Sequence, residues 1–184
     1  MTQAFFITGT DTEVGKTQVT AALLTKAKQA GSSSLGFKPV ASGCQVRVNK
    51  FKQQEVRNSD ALLLQEASSL KLAYQLHNPF AFVPAIAPHL AAQEVGVELT
   101  LVKLQQAYHQ ALAQQPDLLL IEGAGGWLTP LNKEHSLADF VLQLGLPVIL
   151  VVGLKLGCIN HALLTAKAIQ TKGLPLAGWV ANAC

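Results

Sequence analysis

Charge is what this chain has least of. Charged residues make up 14% of its 184 positions, against about 25% in an average soluble domain. So sparse a surface predicts a covered face, most simply an interface between copies of the chain; the alternative is a surface carried by uncharged Gln, Ser and Thr. The net charge of +3 is too mild to mark a nucleic-acid binder. The one basic cluster, Arg47, Lys50, Lys52 and Arg57, encloses Glu55, has only Phe51 as an aromatic, and reads as a solvated loop. Cysteines are few and odd in number (Cys44, Cys158, Cys184) and form no C-x-x-C pair, which fits a reducing cytoplasm and argues against structural zinc. Long apolar runs are missing as well. The longest, Leu146 to Leu154, is broken by Gly153 and stops at Lys155, well short of the roughly 20 residues that span a membrane. The N-terminus has neither the basic start nor the cleavage site of a signal peptide. No Ser-His-Asp set and no metal-binding histidine cluster can be read; His89, His109, His135 and His161 are dispersed.

Apolar residues are nonetheless 49% of the chain, enough for a full core, and the length suits one domain. The most informative segment is Gly9-Thr-Asp-Thr-Glu-Val-Gly-Lys-Thr17, placed after the apolar run Ala4–Ile7 and before a helical pattern. A strand, a glycine-bounded loop and a helix opening on Gly-Lys-Thr make a phosphate cradle. Free N–H groups and the helix dipole point at the anion. Lys16 would reach the β- and γ-phosphates and Thr17 would hold Mg²⁺. Five residues, Thr10 to Val14, separate the glycines, where the common P-loop has four, so this is a variant. The bland alternative is a plain strand–turn–helix corner.

Elsewhere, strand-like runs alternate with helical ones. Strands are expected at Ala4–Thr8, Leu35–Lys38, Asp117–Ile121, Pro147–Val152 and Leu176–Ala181. Helices are expected at Lys16–Gln29, Asp60–Glu66, Leu101–Gln115, Ser136–Leu144 (capped by Ser136) and Ile159–Lys172, the last with Ile159, Leu163, Ala166 and Ile169 inward. A polar loop is expected up to about Asn58. The stretch 78–88 holds Pro79, Pro84 and Pro88 and suits neither a regular helix nor a central strand. Continuous apolar strands between helices predict an α/β fold: a P-loop NTPase-like three-layer arrangement, its mainly parallel sheet covered by helices on both faces. Ligands on such sheets bind beyond the strands' carboxyl ends.

Three further segments fall there. Glu122 ends a buried strand and precedes Gly123-Ala-Gly-Gly126; it would orient Mg²⁺, the alternative being an exposed turn residue. Lys38 would neutralise charge on a transferred phosphoryl group, or is a surface lysine. Asp60 is a helix cap or a magnesium ligand, and spacing favours the cap. Gly153-Leu-Lys-Leu-Gly-Cys-Ile-Asn-His161 opens a second helix suited to a carboxylate; there His161 reads as structural and Cys158 as a small loop residue.

Taken in order, Gly9–Thr17, Lys38-Pro-Val-Ala-Ser-Gly43, Arg57-Asn-Ser-Asp-Ala61, Glu122–Gly126, Gly153–His161 and Gly178-Trp-Val-Ala-Asn182 resemble the dethiobiotin synthetases. The resemblance runs from the first strand to the last residue. It implies a cytoplasmic ligase of biotin biosynthesis. A 7,8-diaminononanoate amine takes up CO₂, ATP phosphorylates the carbamate, and the second amine closes the ring to dethiobiotin, ADP and phosphate. It also implies a homodimer with sites at the interface. By the same resemblance Lys38, Lys16 and Thr12 are catalytic. Gly9, Glu13, Val14, Gly15, Lys16, Thr17, Asp60, Glu122 and Asn182 bind ATP, Asn182 through adenine. Thr17, Asp60 and Glu122 hold Mg²⁺, which reverses the reading of Asp60 as a cap. Ser42, Gly125 and Gly126 bind substrate, and Gly157, Cys158 and Asn160 receive its tail carboxylate from the neighbouring subunit. The family continues past the Asn182 strand, so a single domain lacking the family's C-terminal segment is expected. Two rivals stand beside this: a non-catalytic homologue, and a partition- or cell-division-type ATPase switch. The switch class needs a lysine where this chain has Asp11.

Overall fold

A computed structural model describes residues 1–48 and 50–183. In chain order the elements are β1 (Gln3–Gly9), α1 (Lys16–Gln29), β2 (Ser34–Phe37), β3 (Val40–Ala41), β4 (Gln45–Val48), β5 (Gln54–Arg57), α2 (Ser59–Ala67) and a 3-10 turn (Tyr74–Leu76). They continue with β6 (Phe80–Ala81), α3 (Pro88–Glu94), α4 (Leu101–Leu112), β7 (Leu118–Glu122), α5 (Leu137–Leu144), β8 (Val148–Gly153), α6 (Cys158–Thr171) and β9 (Leu176–Asn182).

The central sheet has five strands in the order β2-β7-β1-β8-β9, all parallel. Because side chains alternate along a strand, neighbours in sequence feed opposite layers. Phe6, Leu119 and Ile121 pack with Leu104 and Tyr108 of α4 and Phe140 of α5. Ile7 and Leu120 pack with Leu24 of α1 and Leu64 of α2. Helices thus cover both faces of β2, β7 and β1, as the apolar runs predict. At the other edge the cover thins. β9 alternates between half-buried and exposed residues, and Trp179 is 66% exposed.

Several elements depart from expectation. The predicted inward face of α6 is outward: Ile159 is 74% and Leu163 67% exposed, and only Ile169 is buried. The helix lies along the thin edge, so its apolar stripe meets solvent rather than the sheet. The polar loop before Asn58 contains an antiparallel hairpin, with Gln45 opposite Arg57 and Val48 opposite Gln54. The proline-rich stretch ends in a short helix because Pro88 occupies its first turn, where a missing N–H costs no hydrogen bond. Ser136 caps α5 as expected, its N–H and hydroxyl both donating to Asp139 at 2.8 and 2.7 Å. Asp60 is not the cap of α2. Asn58 is, accepting the Ala61 N–H at 3.1 Å.

Candidate functional site

The loop between β1 and α1 is held in a shape few sequences tolerate. A Cβ at Gly9 would stand 2.6 Å from Val14 Cγ2, and Gly15 adopts a left-handed φ of 85°. Glu13 is also left-handed, at 58°. Val14 turns its side chain into the core, so only its backbone is available to the loop. The loop curls over Lys16, whose ammonium donates to the Asp11 carbonyl at 2.8 Å. Asp11 itself pairs with Lys155 at 3.1 Å, tying the loop to the β8–α6 turn.

Three strand ends then converge. Lys38, just past β2, lies 2.6 Å from Glu122 Oε1 at the end of β7 and 3.2 Å from Asp60 Oδ2 in the first turn of α2. The Thr17 hydroxyl donates to the same Glu122 oxygen at 3.0 Å. Glu122 is completely buried, and its other oxygen, Oε2, has no hydrogen-bond partner. A buried carboxylate oxygen left open is costly and is a natural place for a cation or a water. Burial lowers the Lys16 pKa to about 8, with the Lys38 charge adding to the effect. Burial also acts to lower that of Lys38, but Glu122 and Asp60 outweigh it and raise it. The site therefore sets one easily neutralised lysine beside one firmly charged lysine.

A cavity of about 610 Å³ opens above these groups. Thr12, Glu13, Gly15, Lys16, Thr17, Lys38, Ser42, Asp60, Gly125 and Asn182 line it. Glu122 is tied into it through Thr17 and Lys38, and Gly9 and Gly126 support it, a Cβ on Gly126 standing 3.8 Å from the Gly9 carbonyl. Asn182 lies against the loop, its amide donating to the Val14 carbonyl at 3.1 Å. Gly157, Cys158 and Asn160 do not line this cavity; they lie at the solvent-facing start of α6. A larger cavity of about 770 Å³, between α3, α4 and residues 131–135, is lined by other residues altogether; size does not mark the site here, converging charge does. Sequence reasoning missed Asn58, which lines the cavity, and Tyr74, His77 and Asn78, which are buried and do not line it. Only Asn58 carried a signal, as a cap residue one position ahead of α2.

A parallel sheet with a glycine-bounded loop, Lys16 and Thr17 at a helix start and an acidic strand end define a P-loop nucleotide-binding protein of the α/β class. Residues 3–184 match an AAA domain family. The kinase domain of the Escherichia coli tyrosine kinase ETK shares the fold, with a TM-score of 0.56 at 15% identity over 98% of this chain and 67% of its own. The chain belongs to the ATP-dependent dethiobiotin synthetase family. It is 58% identical to the synthetase of Pseudomonas aeruginosa strain UCBPP-PA14 over 97% of this chain and 76% of that protein. With the synthetase of Yersinia pestis bv. Antiqua strain Angola the figures are 54%, 99% and 73%. With that of Escherichia coli O157:H7 they are 52%, 99% and 78%.

Proposed function

We propose that this chain uses ATP to close a ureido ring, converting 7,8-diaminononanoate and CO₂ into dethiobiotin. The observation that carries this reading is the meeting of Lys16, Thr17, Lys38, Asp60 and Glu122 around one cavity at the carboxyl edge of the sheet. One amine adds to CO₂ and gives up a proton, leaving a carbamate. A carbamate oxygen attacks the γ-phosphorus of ATP and ADP departs. The second amine attacks the carbonyl carbon, and phosphate leaves as the ring closes.

The protein supplies position and charge for these steps rather than a nucleophile. Lys16 releases the Asp11 carbonyl and turns to the β- and γ-phosphates. Lys38, already charged, faces the carbamate and γ-phosphate oxygens, with Thr12 and Ser42 as hydrogen-bonding neighbours. Gly125 and Gly126 allow close approach of the diamine end. The base of the nucleotide lies toward Asn182. Thr17, Asp60 and Glu122 would hold Mg²⁺, and the open Glu122 Oε2 fits that role. Among the described residues no three His, Cys, Asp or Glu side chains gather as a metal cage; phosphates and water would complete the shell of such an ion. When bound, Mg²⁺ neutralises phosphate charge. The substrate's tail carboxylate reaches Gly157, Cys158 and Asn160 of a second copy, in a homodimer whose contact includes the exposed stripe of α6. The reading places the enzyme in the cytoplasm, a reducing compartment that suits its few, scattered cysteines. The ATPase-switch alternative lacks its lysine, because the chain carries Asp11 at that position.

The test is ADP release from Mg·ATP and bicarbonate with and without 7,8-diaminononanoate. Release that depends on the diamine is the expected result. A folded protein that binds Mg·ATP but gives no diamine-dependent release would overturn the reading.

A further inference from the structure

We propose that Tyr74 is a positioning residue that, through Asn78, holds Lys38 and Asp60 in register for phosphoryl transfer. The inference deepens the proposed function and rests on it. Tyr74 begins the 3-10 turn that follows α2, is buried, and touches none of the cavity. Its hydroxyl accepts the Asn58 backbone N–H at 2.8 Å and donates to Asn78 Oδ1 at 2.9 Å. Asn78 in turn donates its amide to the Lys38 carbonyl at 2.7 Å and, more weakly, to the Phe80 carbonyl at 3.4 Å. The Lys38 N–H donates to the His77 carbonyl at 2.7 Å. Asn58 caps α2 through Ala61 and reaches the Ser42 carbonyl at 3.5 Å. One phenol thereby joins the end of β2, the Ser42 turn and the first turn of α2, the three segments that carry Lys38, Ser42 and Asp60.

The direction of each bond is forced. A backbone N–H can only donate, so the phenol oxygen must accept from Asn58, and its single proton is left for Asn78. Asn78 Oδ1 is then an acceptor, which points its NH₂ at the Lys38 carbonyl. No flipped arrangement satisfies all four groups. The Arg57 guanidinium, itself paired with Glu55 at 2.6 Å, lies 4.2 Å from the centre of the Tyr74 ring and packs against it. The buried phenol uses its hydroxyl in both directions, and Tyr74→Phe, which keeps the ring, separates this strut from packing. The consequence reaches the chemistry through the 3.2 Å Lys38–Asp60 pair: β2 and α2 also meet through Gly36 and Ser68 at their far ends, while the strut joins them at the ends that carry the two charges. Small displacements of such groups are expensive in rate; about 1 Å can cost 10²-fold.

The experiment is Tyr74→Phe in the whole chain, with thermal midpoint, kcat and KM for Mg·ATP measured in diamine-dependent ADP release, then repeated on a Lys38→Ala background. The expected result is a fall in kcat of about tenfold with KM changed by less than about twofold. Tyr74→Phe is expected to be silent once Lys38 is gone, as coupling through that residue requires. Unchanged kcat in a folded Tyr74→Phe protein, or equal losses on both backgrounds, overturns the proposal. Should Tyr74→Phe not fold, Arg57→Met, which leaves every bond of the strut in place, is expected to lower kcat by about twofold only when Lys38 is present; equal or no loss on both backgrounds overturns the proposal. Should the wild-type chain show no diamine-dependent release, the proposed function falls and the strut is read directly. Acetic anhydride labelling of Lys38, followed by mass spectrometry, is expected to be several-fold faster in Tyr74→Phe, and unchanged labelling overturns it.

Discussion

Two strand–loop–helix units stand side by side in the sheet and are built alike, yet they do opposite things. β1–α1 and β8–α6 both begin their helix after a left-handed glycine, Gly15 at 85° and Gly157 at 90°, with no side-chain cap. Both therefore aim free N–H groups outward from the carboxyl edge. α1 buries Lys16, Thr17, Thr20, Ala21 and Leu24, whereas α6 buries Ile169 alone. The first unit is enclosed by α2, β2 and β7, so its charges are desolvated and meet Glu122 and Lys38. The second faces solvent with Leu156, Ile159 and Leu163. The same local pattern becomes a complete pocket or an unfinished one according to what packs around it.

The enclosed unit should be the fragile one for chemistry. Lys16→Ala is expected to reduce diamine-dependent turnover by roughly 10²–10³-fold, the cost of removing one preorganised charge from a reacting oxyanion; near-normal steady-state turnover would remove α1 from the catalytic apparatus. The two glycines should separate next. A Cβ at Gly15 would stand 1.9 Å from Asn182 Nδ2, while nothing lies within 4 Å at Gly157. Gly15→Ala is expected to cost about 2 kcal/mol or more and Gly157→Ala about 1 kcal/mol of backbone strain. Equal melting losses would mean that Asn182 yields and that the two loops are equivalent.

A milder effect follows from pH. Lys16 without nucleotide has a pKa lowered to about 8, and bound phosphate favours its charged form. Above pH 8 binding must take up a proton, so affinity for ATP falls as pH rises, by about fivefold between pH 8 and pH 9. Calorimetry in buffers of different ionisation enthalpy reads the proton uptake; binding indifferent to pH in that window would refute the shift. The smallest effect on the single chain is expected at the open unit. Leu163→Gln should change its stability by less than about 0.5 kcal/mol, yet convert the homodimer proposed above into monomers in sedimentation. A dimer that survives Leu163→Gln must be built on another face.

Much of the sheet was legible because β1, β7 and β8 are short continuous apolar runs, and parallel strands buried on both faces have no other pattern to show. The charged site was legible for a similar reason: a phosphate loop needs Gly, Lys and Thr at set positions, and Glu122 ends its run abruptly. The hairpin of Gln45–Val48 and Gln54–Arg57 was hidden by its polar composition, since exposed strands alternate without burying anything. α6 misled because Ile159, Leu163 and Ile169 lie on a helical stripe whether the stripe meets a sheet or solvent. Asp60 was read as a cap from spacing alone; the resemblance turned it toward the site, and Asn58 takes the cap. Tyr74 and Asn78 left no trace, because a buried polar strut depends on partners distant in sequence and on no local period.

The place of β1 in the sheet has a consequence for synthesis. It leaves the ribosome before the other strands of its sheet, but its registered neighbours are Leu118–Glu122 on one side and Val148–Val151 on the other. At ordinary elongation rates the nascent chain must therefore carry its phosphate loop unpaired for on the order of 10 s before the first of those neighbours exists. During that interval Phe5, Phe6 and Ile7 have no sheet to join, so the segment that defines the nucleotide site is also the one most in need of protection while the chain is being made.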